Sequence, residues 1–302
     1  MEIIGTGLSG LVGSRVTKLL SPQFTFTDLS KETGVDLMDF STVREKISSS
    51  QAPWIFHFAA YTDVQGAEAE KSKGKESVSW KVNVCATQNV VNICKETGKR
   101  LLYISTDYVF DGTKDGAYEE DDVPNPLGIY AKSKYQGERN IMECIDSYFM
   151  IRTAWLYGRN GQNFVHTMLR LFKEKSEVRV VADQWGSPTY APDLAEVIIN
   201  IINADSVHYG IYNFTNAGRI NWYQFASEIH DLAQKKGLID RPVQISPISS
   251  EQYPTRAKRP LNSYLSKDKI SRTIWGTDLK SVAQSLKPWQ ESLKTFIGEL
   301  EK

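Results

Sequence analysis

Short apolar runs alternate along the first half of the chain with longer segments whose apolar residues recur every three or four positions. The short runs are typical of buried strands, and the longer periodic segments are typical of amphipathic helices. Strands that alternate with helices build a parallel sheet with helices on both faces. The pattern therefore predicts an α/β fold with a doubly wound parallel sheet, whose strands include Ile3-Ile4, Phe24–Thr27, Trp54–Phe58, Leu101–Ser105 and Tyr148–Arg152.

Beyond about residue 155 the elements become shorter and the loops longer, with prolines at 242, 247, 254 and 260. The amphipathic helix Asp193–Ile202 and the strand Ile211–Phe214 are predicted to return to the first sheet. We therefore predict two domains, the second of them a smaller C-terminal α/β domain built from separate pieces that binds the substrate. The first domain comprises residues 1–155 with 188–215, and the second comprises 156–187 and 216–302.

A glycine-rich turn joins the first predicted strand to the first predicted helix. Gly7, Gly10 and Gly13 permit a tight turn, a close approach of the backbone to a pyrophosphate, and close packing of the helix on the strand. Asp28 lies 21 residues beyond Gly7, at the end of the second strand. Its carboxylate can accept hydrogen bonds from an adenosine ribose, which favours NAD(H) over the 2′-phosphorylated form. A polar residue at a strand end is the alternative interpretation of Asp28, but the turn itself predicts a Rossmann-type dinucleotide site.

Three residues provide the groups that reduction of a carbonyl needs. Tyr130 and Lys134 are four positions apart, on one face of a predicted helix. A phenol has a pKa of about 10, and a nearby ammonium lowers it toward the working range. Thr106 follows the run Leu101–Ser105, where a strand would deliver its hydroxyl to the carboxyl edge of the sheet. An ordinary helix surface is the alternative for the tyrosine–lysine pair taken alone.

The composition excludes several other classes of protein. The chain has 36 basic and 36 acidic residues, so bulk charge does not attract nucleic acid or a membrane. Its most apolar run, at residues 197–202, is too short to span a bilayer. The three cysteines have no metal or redox spacing and the four histidines are scattered, so no metal site is predicted. The glycine turn begins almost at the first residue, which leaves no room for a signal peptide, and we expect a cytoplasmic protein with reduced cysteines.

With these motifs the chain resembles the extended short-chain dehydrogenase/reductases and, more narrowly, the dTDP-4-dehydrorhamnose reductase family. The run Ser105–Gly112 is highly specific to that family. The other matching segments extend almost from end to end: Thr6–Gly13, His57–Thr62, Val82-Asn83, Pro126–Glu138, Arg152–Gly158, Asn163-Phe164, Asp183–Thr189 and Arg259–Ser263.

This resemblance implies NADPH- or NADH-dependent reduction of the 4-keto group of a deoxysugar nucleotide, with Thr106, Tyr130 and Lys134 as catalytic residues. The expected reaction converts dTDP-4-dehydro-β-L-rhamnose to dTDP-L-rhamnose. A homodimer is compatible with the resemblance. The implied cofactor-binding residues are Gly7, Ser9, Gly10, Leu11, Val12, Asp28, Asp36, Leu37, Phe58, Ala59, Ala60, Tyr61, Tyr130 and Lys134. The implied substrate-binding residues are Val64, Thr106, Asp107, Tyr108, Trp155, Asn163 and Arg259.

Several alternatives stay open at this stage. Trp155 can also be a core residue, Arg259 can instead form a salt bridge, and Asn83 can be an ordinary helix asparagine. Gln65 and Gly66 stand where the family usually has an acid and a lysine, which bears on the identity of the sugar. Another sugar-nucleotide reductase or epimerase is one alternative function. A non-catalytic dinucleotide-binding subunit, like the regulatory subunit of methionine adenosyltransferase, is another.

Overall fold

The computed structural model describes residues 1–203, 208–275 and 286–301, and these contain alternating strands and helices. The described strands are β1 (Glu2–Thr6), β2 (Thr25–Asp28), β3 (Trp54–His57), β4 (Arg100–Thr106), β5 (Tyr148–Thr153), β6 (Leu156–Tyr157), β7 (Glu177–Val181), β8 (Trp185–Gly186), β9 (Thr189–Tyr190), β10 (Gly210–Asn213), β11 (Ile220–Asn221) and β12 (Gln244–Ile248). The described α-helices are α1 (Leu11–Leu20), α2 (Phe40–Ser49), α3 (Val64–Ala69), α4 (Val78–Trp80), α5 (Thr87–Thr97), α6 (Ile129–Cys144), α7 (Phe164–Glu174), α8 (Ala191–Asn203), α9 (Trp222–Lys236), α10 (Asp268–Trp275) and α11 (Trp289–Glu299).

A six-stranded sheet forms the centre of the first half, in the order β10-β5-β4-β3-β1-β2. Every neighbouring pair in it is parallel. The chain moves outward from β1 to β2 and then returns to β3 on the other side of β1. That reversal is the topological switch point of a doubly wound sheet, where ligands bind beyond the carboxyl ends of the strands. The predicted α/β fold with a doubly wound parallel sheet is confirmed.

Helices cover both faces of this sheet because successive strand residues point to opposite sides. On one face Ile3, Phe56 and Leu102 pack with apolar residues of α1 and α8. On the other face Ile4 and Ile55 pack with apolar residues of α2, α5 and α6. Strand β10 pairs with β5 in this sheet and α8 packs on one face of it, while the boundaries of the two domains stay a prediction.

A separate buried cluster lies in the second half of the chain. It contains apolar residues of α7, β7, α9 and α11, among them Phe172, Phe225 and Phe296. Strand β7 pairs there with β12 in parallel. Residues 204–207, 276–285 and 302, which fall within the predicted domain ranges 188–215 and 216–302, lie outside the described residues.

The helical segment from Val78 to Thr97 changes its geometry in the middle. Its middle, Lys81–Ala86, adopts a π-helix between α4 and α5. Such wide turns often occur at functional sites. Asn83, inside this turn, is buried and contacts two segments of the candidate site described below. None of the described helices has the length and apolar character needed to cross a membrane.

Candidate active site

The glycine turn brings backbone against backbone at the switch point. Gly7 has φ +65, and a Cβ there would lie 2.6 Å from the Ala59 nitrogen, just beyond β3. A Cβ on Gly13 would collide with the Gly7 carbonyl oxygen and lie 2.7 Å from the Leu8 Cα. Only glycine fits either position, and its lack of a side chain allows the backbone of the turn to pack closely against the segment after β3 and the start of α1. The amides at this helix start, where Gly10 is the N-cap, are the groups that bind phosphate in such turns.

Asp28 ends β2 with one carboxylate oxygen hydrogen-bonded and the other without a partner among the described residues. Oδ2 accepts a hydrogen bond from the Ser30 hydroxyl at 2.8 Å. Oδ1 is buried and has no hydrogen-bond partner among the described residues. A buried acceptor of this kind fits a ribose hydroxyl. Asp36, also predicted to bind the cofactor, is exposed, and its side chain accepts from the Met38 amide.

A polar network links the cofactor side of the site to the catalytic helix. The Asn83 Oδ1 atom accepts from the Tyr61 amide at 2.8 Å, and its Nδ2 donates to the Tyr61 carbonyl and to the Ser133 hydroxyl. Ser133 lies on α6, between Tyr130 and Lys134. Asn83 therefore fixes the segment after β3 against α6, which is a more specific role than that of an ordinary helix asparagine.

The three predicted catalytic residues share one pocket with the glycine turn. The pocket has a volume of about 430 Å³. Of the predicted binding residues it also contains Phe58, Ala60, Val64, Asp107, Tyr108 and Trp155. Its complete lining is Gly7, Gly10, Leu11, Val12, Gly13, Phe58, Ala60, Thr62, Val64, Ile104, Ser105, Thr106, Asp107, Tyr108, Tyr130, Lys134, Thr153, Ala154, Trp155, Leu156, Gln162 and Trp222.

Two hydrogen bonds to residues of β4 fix the side chain of Lys134. Its Nζ donates to the Tyr103 hydroxyl at 2.7 Å and to the Ile104 carbonyl at 2.8 Å. These bonds use two of the three donors of an ammonium group. Burial lowers the pKa of Lys134 to about 7, and the nearby Glu138 carboxylate opposes that shift. The amine is thus anchored beneath the pocket, in surroundings that disfavour its charge.

The expectation that Lys134 lowers the pKa of Tyr130 is wrong for this structure. Burial raises the pKa of Tyr130 most strongly, hydrogen bonding with the Thr106 hydroxyl partly opposes that rise, and Asp107 and Tyr108 raise the pKa further. The physical reason is that Lys134 directs its hydrogen bonds to Tyr103 and Ile104 rather than to the phenol. Tyr130 therefore keeps its proton at neutral pH, which is the state that a proton donor requires.

Buried and partly buried carboxylates fix α6 at two levels. The first helical amide, on Ile129, donates to the Glu68 carboxylate of α3 at 3.0 Å. One turn beyond Lys134, Glu138 receives two hydrogen bonds from Arg152 of β5, at 3.0 and 2.8 Å. Glu138 and Arg152 are both almost completely buried, and such a bidentate pair strongly constrains geometry. The helix that carries Tyr130 is thereby tied to the sheet and to the segment that contains Gln65.

A stacked tryptophan pair forms one wall of the pocket. Trp155 and Trp222 lie with ring centroids 3.6 Å apart and an interplanar angle of 14°. Trp155 has φ 46, and among the described residues it is the one non-glycine residue with positive φ. Strain of this kind persists where the surroundings impose it, often at binding sites. Asn221 forms a capping box with Gln224, which fixes the start of α9 and so the position of Trp222.

Two predicted substrate residues lie outside the pocket lining. Asn163 caps α7, since its Oδ1 accepts from the His166 amide and its Nδ2 donates to the Gly158 carbonyl. Arg259 lies close enough to Tyr108 to lower the pKa of that phenol, and its Nε is buried without a partner among the described residues. Their roles toward substrate stay predictions, as do those of Ser9, Leu37, Ala59 and Tyr61 toward the cofactor.

The sequence analysis missed Trp222, Gln162 and Ser105 among the lining residues. Trp222 lies 67 residues beyond Trp155, and no local pattern joins the two positions. Its one local signal is the sequence Asn-Trp-Tyr-Gln at residues 221–224, a helix-start pattern that places an aromatic residue at the first helical position.

Comparisons with known proteins give a consistent result. The family model described as "RmlD substrate binding domain" matches residues 1–302. The dTDP-4-dehydrorhamnose reductase of Aggregatibacter actinomycetemcomitans is 38% identical over 307 residues, which cover 99% of both chains. The crystal structure of the Bacillus anthracis dTDP-4-dehydrorhamnose reductase in complex with NADP is 35% identical, with a TM-score of 0.87 and 99% of each chain covered. An orthologous structure from Clostridium acetobutylicum is 33% identical, with a TM-score of 0.86 and the same coverage.

Proposed function

The chain belongs to the RmlD substrate binding domain family, and from that membership we propose that it reduces the 4-keto group of a deoxysugar nucleotide with NADPH or NADH. The proposed reaction converts dTDP-4-dehydro-β-L-rhamnose to dTDP-L-rhamnose, since relatives that match nearly the whole chain are dTDP-4-dehydrorhamnose reductases. One observation carries the proposal. Thr106, Tyr130 and Lys134 line the same pocket as the glycine turn.

The residues at the switch point fit a dinucleotide. Gly7 and Gly13 allow the backbone of the turn to pack closely against the segment after β3 and the start of α1, as in a dinucleotide-binding turn, and the unpartnered Oδ1 of Asp28 supplies an acceptor for a ribose hydroxyl. The Bacillus anthracis relative was solved in complex with NADP. When bound, the reduced nicotinamide supplies the hydride for the sugar carbonyl carbon. The glycine turn would hold the pyrophosphate, and Tyr130 and Lys134 line the same pocket.

Tyr130 donates the proton in the proposed reaction. Its raised pKa keeps the phenol protonated in the resting enzyme, and the developing alkoxide on the sugar is the stronger base. Thr106 is suited to donate a hydrogen bond to the same oxygen, a contact that strengthens as negative charge develops. Lys134, fixed on Tyr103 and Ile104, keeps one donor position directed away from those two acceptors. That position can bind a ribose hydroxyl of the cofactor.

The second half of the chain is proposed to hold the sugar nucleotide. We assign residues 156–187 and 216–302 to this substrate domain, with the Trp155–Trp222 pair as the wall that contacts the sugar or the base. A cytoplasmic location and a homodimer stay predictions from the sequence. The segment Arg259–Ser263 reaches the site from this half, because the Ser263 hydroxyl lowers the pKa of Asp107 and Arg259 lowers the pKa of Tyr108.

The test is single-turnover reduction of a panel of 4-keto-6-deoxy nucleotides, followed by the loss of nicotinamide absorbance. We expect oxidation of the cofactor with the dTDP-4-keto sugar, and a rate lower by about 10²–10⁴-fold in Tyr130→Phe with cofactor affinity unchanged. Tyr135→Phe, on the same helix, is the matched control. Turnover of another sugar alone would favour a sister reductase. Cofactor binding without turnover of any sugar would favour a regulatory subunit.

A further inference from the structure

The hydroxyl of Thr106 has a single proton, and the structure directs it to a neighbour. Thr106 Oγ1 accepts a hydrogen bond from the Tyr108 amide at 3.2 Å. The same atom lies 3.0 Å from Oδ1 of Asp107. An ionised carboxylate can only accept, so it would take the hydroxyl proton. In that state Thr106 has no donor left for a substrate oxygen.

Asp107 lies in surroundings that disfavour its charge. The residue is 2% exposed, and its Oδ2 is buried without a hydrogen-bond partner among the described residues. Burial raises the pKa of Asp107 to about 7, while the hydroxyls of Ser263 and Thr106 oppose that rise. An unpartnered buried carboxylate oxygen is costly when charged, and protonation removes that cost.

Two phenols and a serine hydroxyl approach this carboxyl from three elements. Tyr130 comes from α6, Tyr108 follows Asp107 in the turn after β4, and Ser263 comes from the C-terminal segment. Burial raises the pKa of Tyr108 to about 12 and also raises that of Tyr130, so both phenols are neutral near pH 7. The cations in the neighbourhood are Arg259, which acts on Tyr108, and Lys134, which bonds Tyr103 and Ile104.

We propose that Asp107 is a positioning residue that acts in its protonated form, donating to Thr106 Oγ1 and so directing the Thr106 proton to the substrate oxygen. Oγ1 then accepts from the Tyr108 amide and from Asp107, and donates once into the pocket. All its hydrogen-bonding positions are filled in this arrangement. The inference rests on the proposed function, because the substrate oxygen is the carbonyl that is reduced.

Ionisation of Asp107 opposes the reaction in a second way. A negative Asp107 raises the pKa of Tyr130, because the charge disfavours the phenolate that remains after proton transfer. Both effects have the same sign. The rate of hydride transfer should therefore fall as pH rises through the range in which Asp107 loses its proton.

The decisive variant is Asp107→Asn, which cannot ionise and can still donate to Thr106. In single turnover the parent should slow about tenfold for each pH unit above the ionisation of Asp107, which is the behaviour of a single titrating group. Asp107→Asn should stay within a few-fold of the parent at low pH and show no such fall, so that it becomes the faster enzyme at high pH. A parental pH profile in Asp107→Asn would overturn the proposal, as would an equal loss at every pH.

Dependence on Thr106 is tested by a double-mutant cycle. In a Thr106→Val background, the part of the pH-dependent fall that passes through Thr106 should disappear, leaving only the part that acts on Tyr130, and Asp107→Asn should raise the rate at high pH by less than it does in the parent. Additive effects of the two substitutions would overturn the proposal. If Asp107 instead only binds the sugar, Asp107→Asn would raise KM and leave kcat and its pH profile unchanged.

A measurement without substrate separates this inference from the proposed function. The infrared difference spectrum of the parent minus Asp107→Asn, recorded just below neutral pH, should contain the carbonyl stretch of one protonated carboxyl. That band should vanish from the difference spectrum on raising the pH. A parent that reduces no sugar but retains the band would refute the proposed function only. A parent without the band would refute the assignment of Asp107.

Discussion

The two ends of the pocket differ in the atoms that form them, which are backbone atoms at one end and large side chains at the other. At the cofactor end, the contacts come from backbone atoms of Gly7, Gly13 and Ala59, packed too closely for any side chain. At the substrate end, the wall consists of two large side chains, Trp155 and Trp222, from segments far apart in sequence. Backbone contacts tolerate almost no substitution, whereas a side-chain wall can be altered without disturbing the sheet. Cofactor binding should thus be rigidly specified and the choice of sugar adjustable.

The strongest test of that difference is Gly13→Ala. The new Cβ would meet the Gly7 carbonyl and the Leu8 backbone, which cannot move without shifting the turn. Overpacking typically costs about 1–3 kcal/mol, so we expect cofactor affinity to fall by about ten- to hundredfold. Isothermal titration with NADPH and NADH measures the loss. Gly298→Ala is the control, because nothing lies within 4 Å of its Cβ, and unchanged affinity in Gly13→Ala would refute the distinction.

Local spacing explains why the cofactor end was predictable from sequence. The glycine turn lies within nine residues, and Tyr130 and Lys134 lie within one helical turn of each other. Their geometry therefore follows from the element that contains them. Trp222 and the contacts of Lys134 with Tyr103 depend on packing between distant segments, and no local pattern contains that information. The prediction that Lys134 lowers the pKa of Tyr130 failed for the same reason. The effect of Lys134 depends on its burial and on its contacts with distant residues, which local spacing does not contain.

The segment around Gly66 is a second place where close packing restricts substitution, here against side chains. Gly66 lies within α3 and is not among the residues with positive φ, so its backbone conformation does not require glycine. A Cβ there would instead collide with the Tyr61 hydroxyl and lie 2.5 Å from Oδ2 of Asp63. Asp63 caps α3 by accepting from the Gly66 amide at 2.9 Å.

Restoring the family's acid and lysine should therefore destabilise the protein. Loss of the Asp63 cap costs about 1 kcal/mol, and Gln65→Asp removes an acceptor of the Arg256 amide, worth about another 1 kcal/mol. We expect Gln65→Asp with Gly66→Lys to melt several degrees below the parent in thermal denaturation. Gln65→Glu, which keeps an oxygen at similar reach, should melt close to the parent. A double variant as stable as the parent would contradict the steric account.

Trp222→Ala tests the substrate end. Stacked aromatic pairs contribute about 0.5–1.5 kcal/mol beyond their buried area, and this pair also supports the strained backbone of Trp155. We expect KM for the sugar nucleotide to rise about three- to tenfold, with cofactor affinity unchanged. Trp222→Phe, which retains a ring against Trp155, should lose less. An equal loss of cofactor affinity would show that the two ends of the pocket are not independent.

The smallest expected effect is that of Asp28, a side chain at the cofactor end whose Oδ1 has no hydrogen-bond partner among the described residues. Its carboxylate would accept from the ribose of NADH and repel the 2′-phosphate of NADPH, so we expect NADH to bind a few-fold more tightly. Lys31 opposes this preference, but its side chain is 82% exposed and lies 4.0 Å from Asp36, so solvent screens its charge.

Asp28→Asn keeps the shape of the side chain and removes its charge, so it should narrow the difference in affinity between the two cofactors by strengthening NADPH binding. Asp28→Ala should also narrow it, but chiefly by weakening NADH, because the ribose then loses its acceptor. Titrations of both cofactors into the parent and the two variants separate charge from hydrogen bonding. Tighter binding of NADPH by the parent would contradict the prediction. The Bacillus anthracis relative was solved in complex with NADP, so the affinity for NADPH has to be measured beside that for NADH. A preference for NADH that both substitutions narrow would mean that, even at the end of the pocket built from backbone, one side chain leaves the choice of ligand adjustable.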